Sequence, residues 1–474
     1  MQRRRFLQSL AWLTGGLLIT RCTPAKDLGE RSRILKGSVL SNGKGVANVV
    51  VSDGYNVVVT DKRGRYEFPV HKGAVSVFVS IPSGHAFVNK KNIAKHYHLL
   101  NAENVKKALD FNLTPLSSND DEHQFIIWAD PQVRNKTDVA KMMAQTVPDV
   151  QRLVASTAPG TLIHGITVGD IAWDDLTYFS DYSTAVEKMG IPFFQCLGNH
   201  DMDYNLGGDE TSDKTFQKTF GPTYYSFNRG QVHYVVMDDV RYLGKEREYD
   251  GYIQPHQLEW LKKDLSLVPS DKLIVLSVHI PVHNSVKNNA ELYQILEGRQ
   301  VHIMSGHTHY HVNIIKDNIY EHNHGTVCGA WWTGAICGDG TPNGYGVYKV
   351  KGKELSWHYQ STGKTAEHQM SIYANNVNSS EKQVLVNIWN YDPEWKTEYW
   401  VDGVNKGALE QIEGFDPIAY ATLLGPDLPN QRAFAEPKKT NHLFKAIIPA
   451  TAKEIRVVAT DRFGKMYNDT HSLA

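Results

Sequence analysis

Five apolar runs in the middle of this 474-residue chain each stop at a side chain able to ligate a divalent cation. F-I-I-W-A stops at Asp130, with Gln132 two residues on, and I-T-V stops at Gly169-Asp170. P-F-F-Q-C-L stops at Gly198-Asn199-His200-Asp201, L-I-V-L-S-V at His279, and V-H-I-M-S at Gly306-His307-Thr308-His309. Carboxylate, carboxamide and imidazole are donors that manganese, iron and zinc accept. Each residue alone has an ordinary explanation: a strand-ending Asp turns the chain, and a buried His bonds to backbone. Five in succession point to one shared centre, because sites in α/β folds gather at the carboxyl ends of strands. The glycines ahead of Asp170, Asn199 and His307 permit sharp turns and close backbone approach.

The elements that must position these groups are legible around them. The apolar runs alternate with stretches of helical spacing, Asp138–Ala155 and Pro255–Leu267, the latter with Leu258, Leu261 and Leu265 on one face. That alternation predicts an α/β architecture with buried strands over about residues 122–350. Residues 33–115 predict a β-sandwich module: Val49–Val51, Val57–Val59 and Tyr66–Phe68 are separated by D-G and D-K-R-G turns, and Val75, Val77, Val79 and Ile81 alternate. This module has no cluster of reactive groups, and a structural role is expected for it. Residues 355–474 are again β-rich, with alternation at Val384, Val386 and Ile388.

The formal net charge is −1, with 41% hydrophobic and 21% charged residues, an ordinary globular balance that gives no sign of a nucleic-acid partner. The four cysteines, Cys22, Cys196, Cys328 and Cys337, show no C-x-x-C pairing, so neither a thiolate zinc site nor a disulfide framework is implied. A bridge between Cys328 and Cys337 stays open. Arg3–Arg5 followed by an apolar stretch, Leu10–Ile19, predicts a signal peptide over residues 1–25 and export to the cell envelope or periplasm. R-R-R-F-L resembles a twin-arginine signal. Cys22 offers a lipid tether to the membrane, whereas Arg21 stands where a lipobox has a small residue; a tether and a plain cleaved signal both stay open.

D-P-Q, G-D-I-A-W-D, G-N-H-D, S-V-H and G-H-T-H together resemble the signature of the calcineurin-like metallophosphoesterases, which runs D-x-H, G-D, G-N-H-D/E, a lone H, then G-H-x-H. The resemblance covers roughly 122–350, and the flanking segments look like the N- and C-terminal β domains beside this core in secreted bacterial proteins. It implies an αββα sandwich of two β-sheets flanked by helices. The chain departs at Gln132, where many members have histidine; a carboxamide is a harder ligand, which bears on metal identity. G-D-I-A-W-D lacks the tyrosine of purple acid phosphatases, so an iron–tyrosinate centre is not expected.

Carried over residue by residue, the resemblance implies two divalent ions, manganese, iron or zinc. Asp130, Gln132, Asp170 and His309 would hold one; Asp170, Asn199, His279 and His307 would hold the other, with Asp170 bridging. The implied reaction is hydrolysis of a small-molecule phosphate ester by a metal-bridging hydroxide. His200 would protonate the leaving alcohol, and Asp201 or another carboxylate would orient it. A phosphomonoesterase is expected first; a phosphodiesterase or nucleotide-diphosphate hydrolase is the alternative, and a degenerate cell-envelope binding protein the second. Beside this set, Arg134 is either a phosphate clamp or a solvated loop charge. Asp174 either caps a helix over Leu176–Val186 or stands beside the site. Trp331 and Trp332 border either the cleft or the core. His164, His233 and His302 are expected in the core, and His283 needs no role.

Overall fold

The computed structural model describes residues 33–424, 428 and 432–473; the segment read as a signal peptide, with Cys22, lies outside the described residues. Two sheets form the middle of the molecule. The first has seven strands in the spatial order Glu354–Ser361, Gly344–Lys351, Glu122–Trp128, Leu162–Val168, Phe193–Cys196, Ile93–Ala94 and Asn89–Lys90. The second has six: Tyr225–Arg229, Val232–Val236, Leu273–Ser277, Val301–Ser305, Ile319–Asn323 and Val312–Lys316. The inner strands of both run parallel, so the apolar runs found in the sequence all end on the same edge. Every residue of Leu273–Ser277 and Val301–Ser305 is buried, which is why these segments read as unbroken apolar runs rather than as alternating ones.

The sheets meet through aromatic rings. Phe194 stacks on Phe227 with centroids 3.7 Å apart, and Tyr234 packs edge-on against Phe125 at 5.4 Å. The crossovers are helical, through Lys136–Ala144, Thr146–Ser156, Phe179–Met189, Pro255–Ser266 and Asn289–Leu296. The arrangement is the αββα sandwich expected. One predicted helix is two: Asp138–Ala155 breaks at Gln145. Pro148 is the cause, because its ring clashes with the carbonyl four residues back and Ala144 ends the first helix. The Leu176–Val186 segment is a 3₁₀ turn, Leu176–Tyr178, leading into Phe179–Met189; Asp175, whose Oδ1 accepts from the Thr177 amide, caps the turn, and Asp174 is left free for the site.

Residues 34–113 form two four-stranded sheets, but Ile93–Ala94 pairs with Phe193 and extends the first core sheet. A single apolar core therefore runs from Leu35 to Trp357. The strand Glu354–Ser361 closes the other edge of that sheet, so the central layer reaches past the residue-350 boundary read from sequence. Beyond it, two further four-stranded sheets enclose a separate core around Val386, Phe444 and Val457. This C-terminal module is joined to the centre by a small apolar cluster, in which Ala330 meets Ala419, Leu423 and Ala435, and by polar contacts. Asn387 Nδ2 donates to the Asp339 carbonyl at 2.9 Å, His442 Nε2 bonds the Asp339 carboxylate at 3.0 Å, and Arg432 pairs with Asp138 at 2.6 Å. No helix among the described residues is long and apolar enough to cross a membrane.

His164 lies in the core as expected, among Phe87, Phe125, Phe194, Phe227 and Tyr234, with no partner for either ring nitrogen. Burial holds its pKa well below the usual histidine range. The unfolded chain takes up this proton below about pH 6.5 while the folded chain does not, so the residue withdraws stability as pH falls. His164→Phe removes both the unpaired nitrogens and this proton liability. Urea midpoints should rise in the variant, and the gap over the parent should widen from pH 7.5 to pH 5 by up to about 1.4 kcal/mol per pH unit below 6.5. An equal gap at both pH values would refute this account of His164.

Candidate metal centre

Five of the seven expected ligand residues leave their strands through left-handed backbone: φ is 47° at Asp130, 39° at Gln132, 51° at Asp170, 71° at His307 and 54° at His309. A non-glycine residue there costs about 1 kcal/mol or more, and such residues persist where the surroundings over-determine them. Here they do. The Gln132 amide donates to the Asp170 carbonyl at 2.8 Å, the Trp173 amide to Val133 at 3.1 Å, the Asp174 amide to His200 at 3.1 Å, and the Gly306 amide to His279 at 3.1 Å. The loops after three strands of the first sheet are thus tied to one another, and those after two strands of the second sheet likewise, before any side chain is considered. Two glycines admit the remaining closeness. Gly169 has φ 88°, and a Cβ on it would stand 2.4 Å from His279 Nδ1; a Cβ on Gly306 would stand 2.3 Å from Asp130 Oδ2.

The donors converge. Asp170, His279 and His307 each offer a ligand atom within 4.8 Å of the others. His279 Nε2 lies 3.3 Å from Asp170 Oδ1, 3.0 Å from Asn199 Oδ1 and 3.1 Å from His307 Nδ1. His309 Nε2 lies 3.6 Å from Asp130 Oδ1. Donors bound at about 2.0–2.2 Å to one ion sit about 3.0–3.6 Å apart, so this spacing fits a cation. The protonation pattern fits as well. His279 Nδ1 donates to the Val168 carbonyl at 2.8 Å and His309 Nδ1 to Gly329 at 2.6 Å, which turns each Nε2 lone pair inward. Burial opposes a proton on His279, yet Asp170 raises its pKa to about 10. Asp130, buried beside Asp170, is pushed up to about 8. At His279 the Asp170 charge outweighs desolvation, whereas burial holds His307 and His309 below the usual histidine range, in the neutral form that ligates a cation.

Gln132 reaches the cluster with its other face: Nε2 donates to Asp170 Oδ2 at 3.0 Å, and Oε1 points toward Cys328 Sγ at 4.0 Å. In this structure Gln132 orients the Asp170 carboxylate, and a half-turn of the amide is needed to present its oxygen to a cation. Cys328 and Cys337 are free thiols on either side of Thr326.

His200 lies at the rim, its side chain 23% exposed, with its amide on Asp170 Oδ1 at 2.9 Å. Its orienting carboxylate is Asp174, whose Oδ1 is 2.7 Å from Nδ1, and not Asp201. Both Asp201 oxygens are taken by backbone, accepting from Gly198, Ile171 and Ala172 at 2.9–3.1 Å, so Asp201 clamps two ligand loops together. Burial works against charging His200, but Asp170 and the Asp174 bond raise its pKa above the usual value. Asp239 was not foreseen: it ends a sixth apolar run and accepts from the His279 and Ile280 amides at 3.0–3.2 Å, fixing the turn that carries His279.

The remaining candidates sort cleanly. Trp331 stacks on His309 with centroids 4.1 Å apart, whereas Trp332 is buried and donates to the Pro131 carbonyl at 3.0 Å. The Arg134 guanidinium lies 5.0 Å from the Trp173 ring and has no carboxylate partner among the described residues. His233 bonds Asp264 at 2.8 Å, His302 bonds His322 at 2.9 Å, and His283 turns to Glu321 at 3.1 Å.

Three family models match the chain: N terminal of calcineurin-like phosphoesterase over residues 33–116, calcineurin-like phosphoesterase over 164–311, and C terminal of calcineurin-like phosphoesterase over 321–467. No curated protein sequence matches. Among solved structures, the chain is similar to a dimetal phosphatase from Danio rerio, at 12% identity and TM-score 0.39, covering 51% of this chain and 97% of that one. It is similar to a purple acid phosphatase from yellow lupin seeds, at 12% identity and TM-score 0.39, covering 52% of each chain. It is also similar to a 5′-nucleotidase from Candida albicans, at 14% identity and TM-score 0.31, covering 52% of this chain and 51% of that one.

Gly306→Ala places a methyl group against the Asp130 carboxylate. The variant should fold, with circular dichroism unchanged, while its metal content after reconstitution falls and its turnover drops about 100-fold through misplaced donors. Full parental metal content in the variant would show that the close approach has no such role.

Proposed function

We propose, from the premise that the chain belongs to the calcineurin-like phosphoesterase family and is a metal-dependent phosphoester hydrolase, that its substrates are phosphate monoesters. The observation that carries this reading is the convergence of Asp130, Asp170, Asn199, His279, His307 and His309, with the His200–Asp174 pair on its rim. Those donors would hold divalent ions, which when bound would supply positive charge to phosphate oxygens and lower the pKa of water. The rest is done by side chains. Asp170, fixed by the His200 amide and Gln132, keeps its carboxylate turned to His279. His200, with Nδ1 committed to Asp174, has Nε2 available to protonate a leaving alcohol. Arg134, with no carboxylate partner among the described residues and lying 5.0 Å from the Trp173 ring that meets His200, favours a dianionic monoester over a monoanionic diester.

The exported setting read from residues 1–25 belongs to the same proposal and rests on the arginine and apolar pattern alone. The test is turnover of p-nitrophenyl phosphate against bis-p-nitrophenyl phosphate after loading with manganese, iron or zinc. Cleavage of the diester alone would overturn the monoesterase reading.

Asp170→Asn should abolish turnover and lower metal content. His200→Ala should keep its metal and lose about 10²–10⁴-fold in kcat, with the greater loss on poor leaving groups. Asp174→Asn should show the same leaving-group trend more weakly. Equal losses on good and poor leaving groups would remove His200 from the acid's role.

A further inference from the structure

We propose that Phe434, carried by the C-terminal module, is a specificity-determining residue that holds a flat apolar leaving group against the metal centre; this rests on the hydrolase reading above. Four ring contacts form a continuous arc. Trp331 stacks on His309 at 4.1 Å, Phe434 meets Trp331 at 4.8 Å with planes at 73°, Trp173 meets Phe434 at 5.6 Å and 81°, and His200 meets Trp173 at 5.8 Å and 67°. The arc runs from a candidate metal ligand to the candidate acid. Trp173 is only 9% exposed, whereas Phe434 is 51% exposed. A phenyl ring left half in water between two indoles gains by being covered by a third flat group.

The position of the arc decides which part of the substrate meets it. An acid protonates the leaving oxygen, so the leaving group lies on the His200 side, where Trp173 and Phe434 stand. Phe434 is also held in place. Two residues earlier, Arg432 pairs with Asp138 at 2.6 Å and lies over Trp173 at 4.5 Å. One residue later, Ala435 is buried with Ala330, Ala419 and Leu423. The Lys438 amide donates to the Gly338 carbonyl at 2.8 Å, and the Gly338 amide donates to the His309 carbonyl at 3.0 Å. The segment is fastened to the metal loop on one side and to the first helix on the other, and the ring between the fastenings faces solvent.

The ring on the leaving group can belong to a phenol or to a nucleoside base. The test compares the parent with Phe434→Ala and Phe434→Tyr on phenyl phosphate, a 5′-nucleoside monophosphate and glycerol phosphate. Phe434→Ala should raise KM about 5- to 20-fold for at least one ring-bearing ester, with kcat within about twofold and the glycerol phosphate KM within about twofold; Phe434→Tyr should retain the parental KM. A rise confined to one ring-bearing ester identifies the source. As a readout without turnover, phenol and adenosine are titrated into metal-free protein and followed by tryptophan fluorescence. At least one should give saturable quenching in the parent and none in Phe434→Ala. Equal KM changes for all three esters, or quenching that survives in Phe434→Ala, would overturn this inference. A parent that hydrolyses none of the three after metal loading would instead count against the hydrolase reading, leaving the quenching result to judge Phe434 alone.

Discussion

The carboxylate of Asp170 is where the constraints on this molecule meet. One oxygen accepts the His200 amide and faces His279, and the other accepts from Gln132. A buried carboxylate among so many neighbours is stable only if every group arrives in register, because an unpaired charge in a dry interior is strongly destabilising. Parallel strands make that arrival possible. They carry each chain segment to one edge at the strand spacing, and the turns beyond the edge aim the side chains inward. The sandwich, its crossovers and its aromatic interior serve to hold six strand ends level.

Much of this was legible in the sequence because strand ends leave a local mark. An apolar run that stops at Gly-Asp or Gly-His declares both the burial of the strand and the need for a sharp exit. What was not legible depends on which neighbour wins a contact in three dimensions. Asp201 and Asp174 are both acids near His200, and nothing local says that the first is consumed by three backbone amides while the second faces the imidazole. Asp174 and Asp175 are adjacent, and a one-residue difference in where the 3₁₀ turn begins decides which one caps it. Asp239 follows Asp238 after an apolar run, and nothing local says which of the two reaches the His279 and Ile280 amides. Pro148 marked the helix break openly, but helical spacing continued across it.

The outer modules contribute more to the centre than their composition suggested. The N-terminal module lends a strand pair to the first core sheet, and its apolar interior is continuous with that sheet. The C-terminal module keeps a separate core but reaches back through His442 and Arg432 to Asp339 and Asp138, on the loop and helix that border the candidate donors. Both additions are packing solutions to the same problem, that a loop-built site needs rigid backing on every side.

The left-handed turns at Asp130, Asp170, His307 and His309 also bear on how such a site ages over evolutionary time. Outside glycine, that backbone region is tolerated best by asparagine, aspartate and histidine, the residue types that also coordinate ions. Geometry and coordination therefore draw from one short alphabet. A descendant that had abandoned its reaction would shed these letters slowly, since the bends would go on selecting them, and an intact motif would outlive the chemistry it once served.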